Sequence, residues 1–138
     1  MPARDKFHEA AKTALVKDGW LVTDDPLKLK YRRKRVYVDL GAEKLLAAEK
    51  GTRKIAVEVK SFLGTALIAD FYQALGQFMV YHLALSVNAP ERELYLAVPL
   101  DAYQGIVADD LAHDAVALHR IRLIVYDPEQ EVILQWTN

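Results

Sequence analysis

The sequence predicts an α/β (α+β) fold, one central mixed sheet flanked by helices, in the order α-β-β-β-α-β-α-β-β. Three observations predict it. Three segments carry apolar residues at the spacing of an amphipathic helix. Two segments alternate apolar and polar residues as half-buried strands do. The remaining apolar runs are short and bounded by Pro, Gly and Asp, as strands are. The first helical segment covers residues 5–18. Phe7, Ala10, Ala11, Ala14 and Leu15 share its inner face, Asp5 stands at its start and Gly19 just past its end. Residues 20–23 read as a short strand closed by the turn Asp24-Asp25-Pro26. In residues 35–40, Val36, Val38 and Leu40 face one side, and Tyr37 and Asp39 the other. In residues 54–62, Ile55, Val57 and Val59 share one face, while Ala56, Glu58 and Lys60 share the opposite one. These two strands are expected to form one long bent hairpin, with Gly41 as a bulge and Gly51-Thr52 at the tip. Residues 42–50 between them are also rich in helix formers.

The longest helix is expected over residues 66–86. Leu67, Phe71, Ala74, Leu75, Phe78, Leu83 and Leu85 cover much of its circumference, which predicts a well-buried element. A strand over 93–98 ends at Pro99, an amphipathic helix covers 101–119, and strands over 122–126 and 132–136 pair across the turn at 127–130.

A chain of 138 residues, 52% hydrophobic and 27% charged, suits a single domain spanning 1–138. With no cysteine it has no disulfide, no Cys-ligated zinc and no thiol nucleophile. No apolar run approaches the ~20 residues of a membrane span, and the first twelve residues lack the apolar core of a signal peptide. The expectation is a cytoplasmic protein with no membrane partner. The net charge of −1 hides an asymmetry. Residues 1–60 hold 15 Lys and Arg against 9 Asp and Glu, and residues 61–138 hold 3 against 10. The basic excess peaks at Lys28, Lys30, Arg32, Arg33, Lys34 and Arg35. Such a run serves either as an electrostatic footprint for a polyanion or as a solvated loop without a partner.

Asp39, Glu58 and Lys60 carry the chemistry. Glu58 and Lys60 are two apart in a strand and so project from one face, anchored by the apolar Val57 and Val59. A carboxylate and an ammonium at the edge of a core are costly to bury and need a purpose or a partner. If Asp39 on the neighbouring strand points the same way, two hard oxygen donors converge, a good site for Mg²⁺ or Mn²⁺. Lys60 is then placed to position a water or to stabilise charge on a scissile phosphate. With a tight turn at Gly51, Glu43 rather than Asp39 lies across from Glu58, so both acids stay candidates for the second ligand.

This layout resembles the PD-(D/E)XK nucleases of the restriction-endonuclease-like fold: Glu58-Val59-Lys60 matches the Glu-x-Lys strand and Asp39 the upstream acid, with Val38 where the pattern names proline. The resemblance implies catalysis by Asp39, Glu58 and Lys60, with the metal on Asp39 and Glu58, and brings in Glu9 on the first helix as a further carboxylate. Gln77-Phe78-Met79-Val80-Tyr81 is similar to the Q-x-x-x-Y element of RecB-like nucleases, and Gln73, Gln77 and Tyr81 on one helical face suit contacts to a phosphate backbone.

The chain also resembles a narrower family almost end to end. Lys17-Asp18-Gly19-Trp20, the segment from Tyr37 to Lys44, Ala48-Glu49-Lys50-Gly51, the segment from Ile55 to Phe62, that from Leu94 to Leu100 and the closing Leu134-Gln135-Trp136 look like the XisH proteins, the fdxN-element excision controlling factors of cyanobacteria. This implies a role in excising a DNA element, as an accessory to a site-specific recombinase and beside a companion protein, XisI. A catalytically inactive nuclease fold that binds DNA or assembles proteins fits the same resemblance, and the acidic second half leaves room for a homodimer. His8, His82, His113 and His119 form no zinc motif, and no phosphate-binding glycine loop or nucleophile elbow occurs.

Overall fold

The computed structural model describes residues 6–46, 51–64 and 66–137. Its elements are α1 (His8–Lys17), β1 (Leu21–Asp24), β2 (Leu27–Tyr31), β3 (Lys34–Val38), β4 (Leu40–Leu46), β5 (Gly51–Val59), α2 (Leu67–Asn88), β6 (Arg92–Pro99), α3 (Leu100–Ala108), α4 (Asp110–Leu118), β7 (Leu123–Asp127) and β8 (Val132–Trp136). The order follows the expected one, with three refinements. The basic run forms a hairpin of its own, β2–β3. The strand expected at 35–40 divides at Asp39, and the helix expected at 101–119 divides at Asp109, whose carboxylate caps α4 by accepting from the Ala112 N–H at 2.9 Å. Asp5 and residues 47–50, to which a helix cap and part of the hairpin arm were assigned, lie outside the described residues.

Six strands form the main sheet in the order β1-β4-β5-β6-β7-β8. β5, β6 and β7 run parallel, and the outer pairs are antiparallel. Such central strands are buried on both faces, and β6 is buried continuously from Leu94 to Pro99. On one face, Leu40, Ala42, Ile55, Val57 and Val59 pack beneath Ala11, Ala14 and Leu15 of α1. On the other, Ala56, Leu94, Leu96 and Val98 pack beneath Ala74, Phe78 and Leu85 of α2. The β2–β3 hairpin lays Leu27, Leu29, Val36 and Val38 into this second cluster. Strict alternation therefore misplaces Leu40. Val36 and Val38 belong to the α2 side and Leu40 to the α1 side, because the chain turns at Asp39 and enters a different sheet.

The expected bulge at Gly41 is corrected as well. Gly41 keeps regular register with Ala56, and the irregularity lies opposite it in β1, between Val22 and Asp24. Gly41 is required for another reason. A Cβ there would stand 2.9 Å from Asp24 Oδ2 and 3.0 Å from Arg92 Nη1. Those groups form an ion pair of 3.2 Å, and Arg92 also donates to the Ile55 carbonyl at 2.7 Å. Gly41→Ala is expected to force this half-buried pair apart and destabilise the protein by about 1–3 kcal/mol, read as a lowered midpoint in urea with an unchanged m-value.

Candidate functional site

The site forms where β3 becomes β4. In the β4–β5 register Leu40 faces Val57 and Glu43 faces Lys54. Continuing that register by one step sets Asp39 across from Glu58. Glu43 lies four residues farther along β4, with Lys54 rather than Glu58 opposite it. The tight-turn alternative, with Glu43 across from Glu58, therefore does not form.

Two reciprocal hydrogen bonds hold Asp39 and the end of β5 together. The Asp39 N–H donates to Glu58 Oε1 at 3.2 Å, and the Val59 N–H donates to Asp39 Oδ2 at 2.8 Å. Lys60 follows β5 and still donates its N–H to the Ala97 carbonyl of β6 at 3.1 Å, so its backbone remains anchored to the sheet. Its Nζ stands 3.9 Å from Glu58 Oε2. Asp39, Glu58 and Lys60 thus converge on the α2 face, at the carboxyl end of β5.

Glu58 is 6% exposed. Its burial pushes the carboxyl up to about 8; the neighbouring Asp39 charge adds to this rise and Lys60 opposes it. Burial also raises Asp39, against the hydrogen bond from Val59. The Asp39 charge beside it favours the neutral form of Glu58, so the raised Glu58 carboxyl is the one that tends to hold a proton. Tyr81 of α2 lies near enough to both carboxyl groups to feel their charge. Burial and both carboxylates push the Tyr81 hydroxyl up to about 12, so it stays a donor. An acid pair holding one proton in a buried place is chemically matched to a cation, since a divalent ion replaces the proton and cancels the second charge. Asp39 and Glu58 offer the hard oxygen donors that Mg²⁺ and Mn²⁺ prefer.

The other expected residues fall around this centre. Gln73 is exposed and, with Lys60, Ser61, Phe62 and Asp70, lines a shallow cavity of about 220 Å³. Gln77 is half-buried, and its Oε1 has no hydrogen-bond partner among the described residues. Lys28, Lys30, Arg32, Arg33, Lys34 and Arg35 are all exposed on the β2–β3 hairpin, with Arg32-Arg33 as its turn. Glu9 gathers instead with His8 and Asp25, one potential ligand atom from each lying within 4.8 Å of the others.

His8 and Asp25 lie beside this centre, a placement that the spacing did not signal. His8 is buried beside Asp39 closely enough for its charge to favour the ionised Asp39. Its Nε2 contacts Asp25 Oδ1 at 2.8 Å, and Lys12 Nζ lies 2.7 Å from Asp25 Oδ2. Burial opposes the Asp25 charge, yet the bonds from Lys12 and His8 hold its carboxyl below the usual range. The Asp24-Asp25-Pro26 turn was legible, but nothing in the sequence spacing joins it to a histidine 17 residues upstream.

Fold and site together define a mixed α/β protein carrying two neighbouring acids and a lysine at the carboxyl end of a central strand. The chain belongs to the XisH family: the family model described as XisH protein matches residues 1–134. A crystal structure of an XisH family protein from Nostoc punctiforme PCC 73102 is similar at 44% identity and TM-score 0.87, covering 97% of this chain and 100% of that one. A crystal structure of a fdxN element excision controlling factor protein from Anabaena variabilis is similar at 46% identity and TM-score 0.87, covering 98% and 100%. No curated protein matches the chain. No described helix is long and apolar enough to cross a membrane.

The raised carboxyl of Glu58 sets a pH dependence. The folded state holds its proton up to about pH 8, whereas an unfolded Glu loses it near 4.5. Stability is therefore expected to fall as pH rises from about 4.5 to 8 and to level off above. Glu58→Gln should flatten that slope and gain on the order of a few kcal/mol over the wild type at pH 9. Urea titrations at pH 5, 7 and 9 measure it.

Proposed function

We propose that this chain takes part in excising a DNA element together with a site-specific recombinase. In this reading it is built on a PD-(D/E)XK, restriction-endonuclease-like fold with a Mg²⁺- or Mn²⁺-dependent DNA phosphodiesterase site. The observation that carries it is the meeting of Asp39 with the buried Glu58, tied by the Asp39 N–H to Glu58 Oε1 and by the Val59 N–H to Asp39 Oδ2, with Lys60 Nζ 3.9 Å from Glu58. The excision role is supported by the Anabaena variabilis relative, whose name says it controls excision of the fdxN element. Family membership points to a companion of the XisI kind as partner.

In this reading Asp39 and Glu58 hold the metal. The bound metal supplies Lewis-acid polarisation of a phosphate oxygen. Asp39 is held in place by the Val59 N–H, so its carboxylate is already oriented. Glu58, raised by its burial, would have to be ionised to serve as the second ligand, with Tyr81 close by. The Lys60 ammonium sits beside the acids to hold the attacking water and to stabilise the charge that develops on the phosphate. The hairpin cations, with Gln73 at the mouth of the site, bind backbone phosphates.

Purified protein is expected to bind Mn²⁺ and release about one proton per ion near pH 7, read by calorimetry in buffers of different ionisation enthalpy. Asp39→Asn should abolish that binding. Cleavage of single-stranded, duplex or branched DNA in Mn²⁺ should drop about 10²–10³-fold in Lys60→Ala. Absence of cleavage on every substrate would remove the phosphodiesterase.

A second reading is favoured by the hydrogen bonds themselves. Asp39 and Glu58 also stitch the β3–β4 junction, a structural task that needs no turnover. Metal binding without cleavage, with DNA binding intact, would select this assembly or DNA-binding module. In either reading the hairpin is the DNA contact. Replacing Arg32, Arg33 and Arg35 with Ala should weaken duplex binding and lower the slope of log K against log salt by up to about 3, measured by fluorescence anisotropy from 50 to 200 mM salt.

A further inference from the structure

Helix α2 presents to solvent a face unlike that of an ordinary surface helix. Tyr72, Met79, Val80, Leu83 and Val87 are 45%, 51%, 55%, 52% and 61% exposed. They recur every three or four residues once Gly76 is counted, so they form one stripe about 22 Å long. A Cβ at Gly76 would meet nothing within 4 Å, which makes this position an open notch in the stripe. From Phe71 to Asn88 the helix contains no Asp, Glu, Lys or Arg. A solvated helix face is normally polar or charged, whereas this one loses no charge hydration when covered. It stays uncovered although the β2–β3 hairpin and α3 both pack against α2.

We propose that this stripe is a self-association surface, on which a second copy of the chain packs its own α2 antiparallel about a two-fold axis between Met79 and Val80. The occupant follows from the arrangement of the residues. An isologous contact demands a patch complementary to its own reversed image. Reversed about the Met79–Val80 midpoint, Tyr72 meets Val87, Gly76 meets Leu83, and Met79 meets Val80. The largest side chain thus faces a small one, and the leucine knob faces the glycine notch. Having no charge, the face also presents none to its mirror copy. A helix-pair contact of this size lies below the standard protein interface, so the dimer dissociates on the order of micromolar concentrations. The inference does not depend on whether the acid site binds metal or cuts DNA.

The test is analytical ultracentrifugation of the full chain over a dilution series, together with thiol cross-linking. The chain has no cysteine, so Val80→Cys introduces a single thiol next to the axis. It should form a disulfide dimer on mild oxidation, whereas Leu118→Cys on α4, 77% exposed and off the stripe, should not. Leu83→Glu should weaken the dimer about a hundredfold or more while circular dichroism and the melting temperature stay unchanged. Gly76→Leu should weaken it by filling the notch, and adding Leu83→Ala should restore it. Either a wild-type monomer at every concentration up to about 200 µM or a dimer indifferent to Leu83→Glu and Val80→Cys would overturn the proposal. A complex that forms only with a different protein, the chain alone remaining monomeric, would overturn it too.

Discussion

The reciprocal hydrogen bonds between Asp39 and the end of β5 hold the rest of the site together. They occur where the chain leaves the β2–β3 hairpin and enters the main sheet. At that junction the buried side chains switch from the α2 cluster to the α1 cluster, so the backbone there cannot be closed by strand pairing alone. Side-chain oxygens take the place of ladder carbonyls. The same two carboxyl groups are thereby brought close enough for the Asp39 charge to add to the burial that raises Glu58. The junction is mechanically sound and electrostatically incomplete, and that combination suits a residue pair to cation chemistry.

The neighbourhood reinforces the incompleteness without relieving it. Lys60 stands 3.9 Å from one oxygen, too far for a strong charge-assisted bond. Tyr81 approaches from α2 near enough to feel the Glu58 charge yet leaves the carboxyl buried. On the far side, His8 and Asp25 add a second polar cluster at the start of α1, which Lys12 helps to neutralise. Polar groups from α1, α2, β5 and the β3–β4 junction thus meet at one end of a sheet that is otherwise apolar from Ile55 to Val59 on the α1 side and from Leu94 to Val98 on the α2 side.

Much of this was legible in the sequence, for identifiable reasons. Period-2 alternation fixed the face shared by Glu58 and Lys60, because β5 is regular over nine residues. The helices carried period-3.6 signals strong enough to be placed within a few residues. Alternation failed at Leu40, since it assumes one continuous strand and no local pattern reports that a chain changes sheets. It also missed β2, because Lys28 and Lys30 read as part of a charge run while Leu27 and Leu29, alternating with them, were the buried half of the strand. The choice between Asp39 and Glu43 turned on loop length, which residue chemistry does not state and the Leu40–Val57 register does. His8 was invisible because its partner Asp25 is brought to it only by the fold.

Among the described residues the β2–β3 hairpin pairs only with itself, and its backbone ladder shares no strand with the six-stranded sheet. Its attachment is through four apolar side chains and a bond from the Lys30 N–H to Asn88. Its outward residues can therefore be exchanged without disturbing the register of any strand that shapes the acid pair. The ribbon can thus change what it touches while the framework beneath keeps its shape.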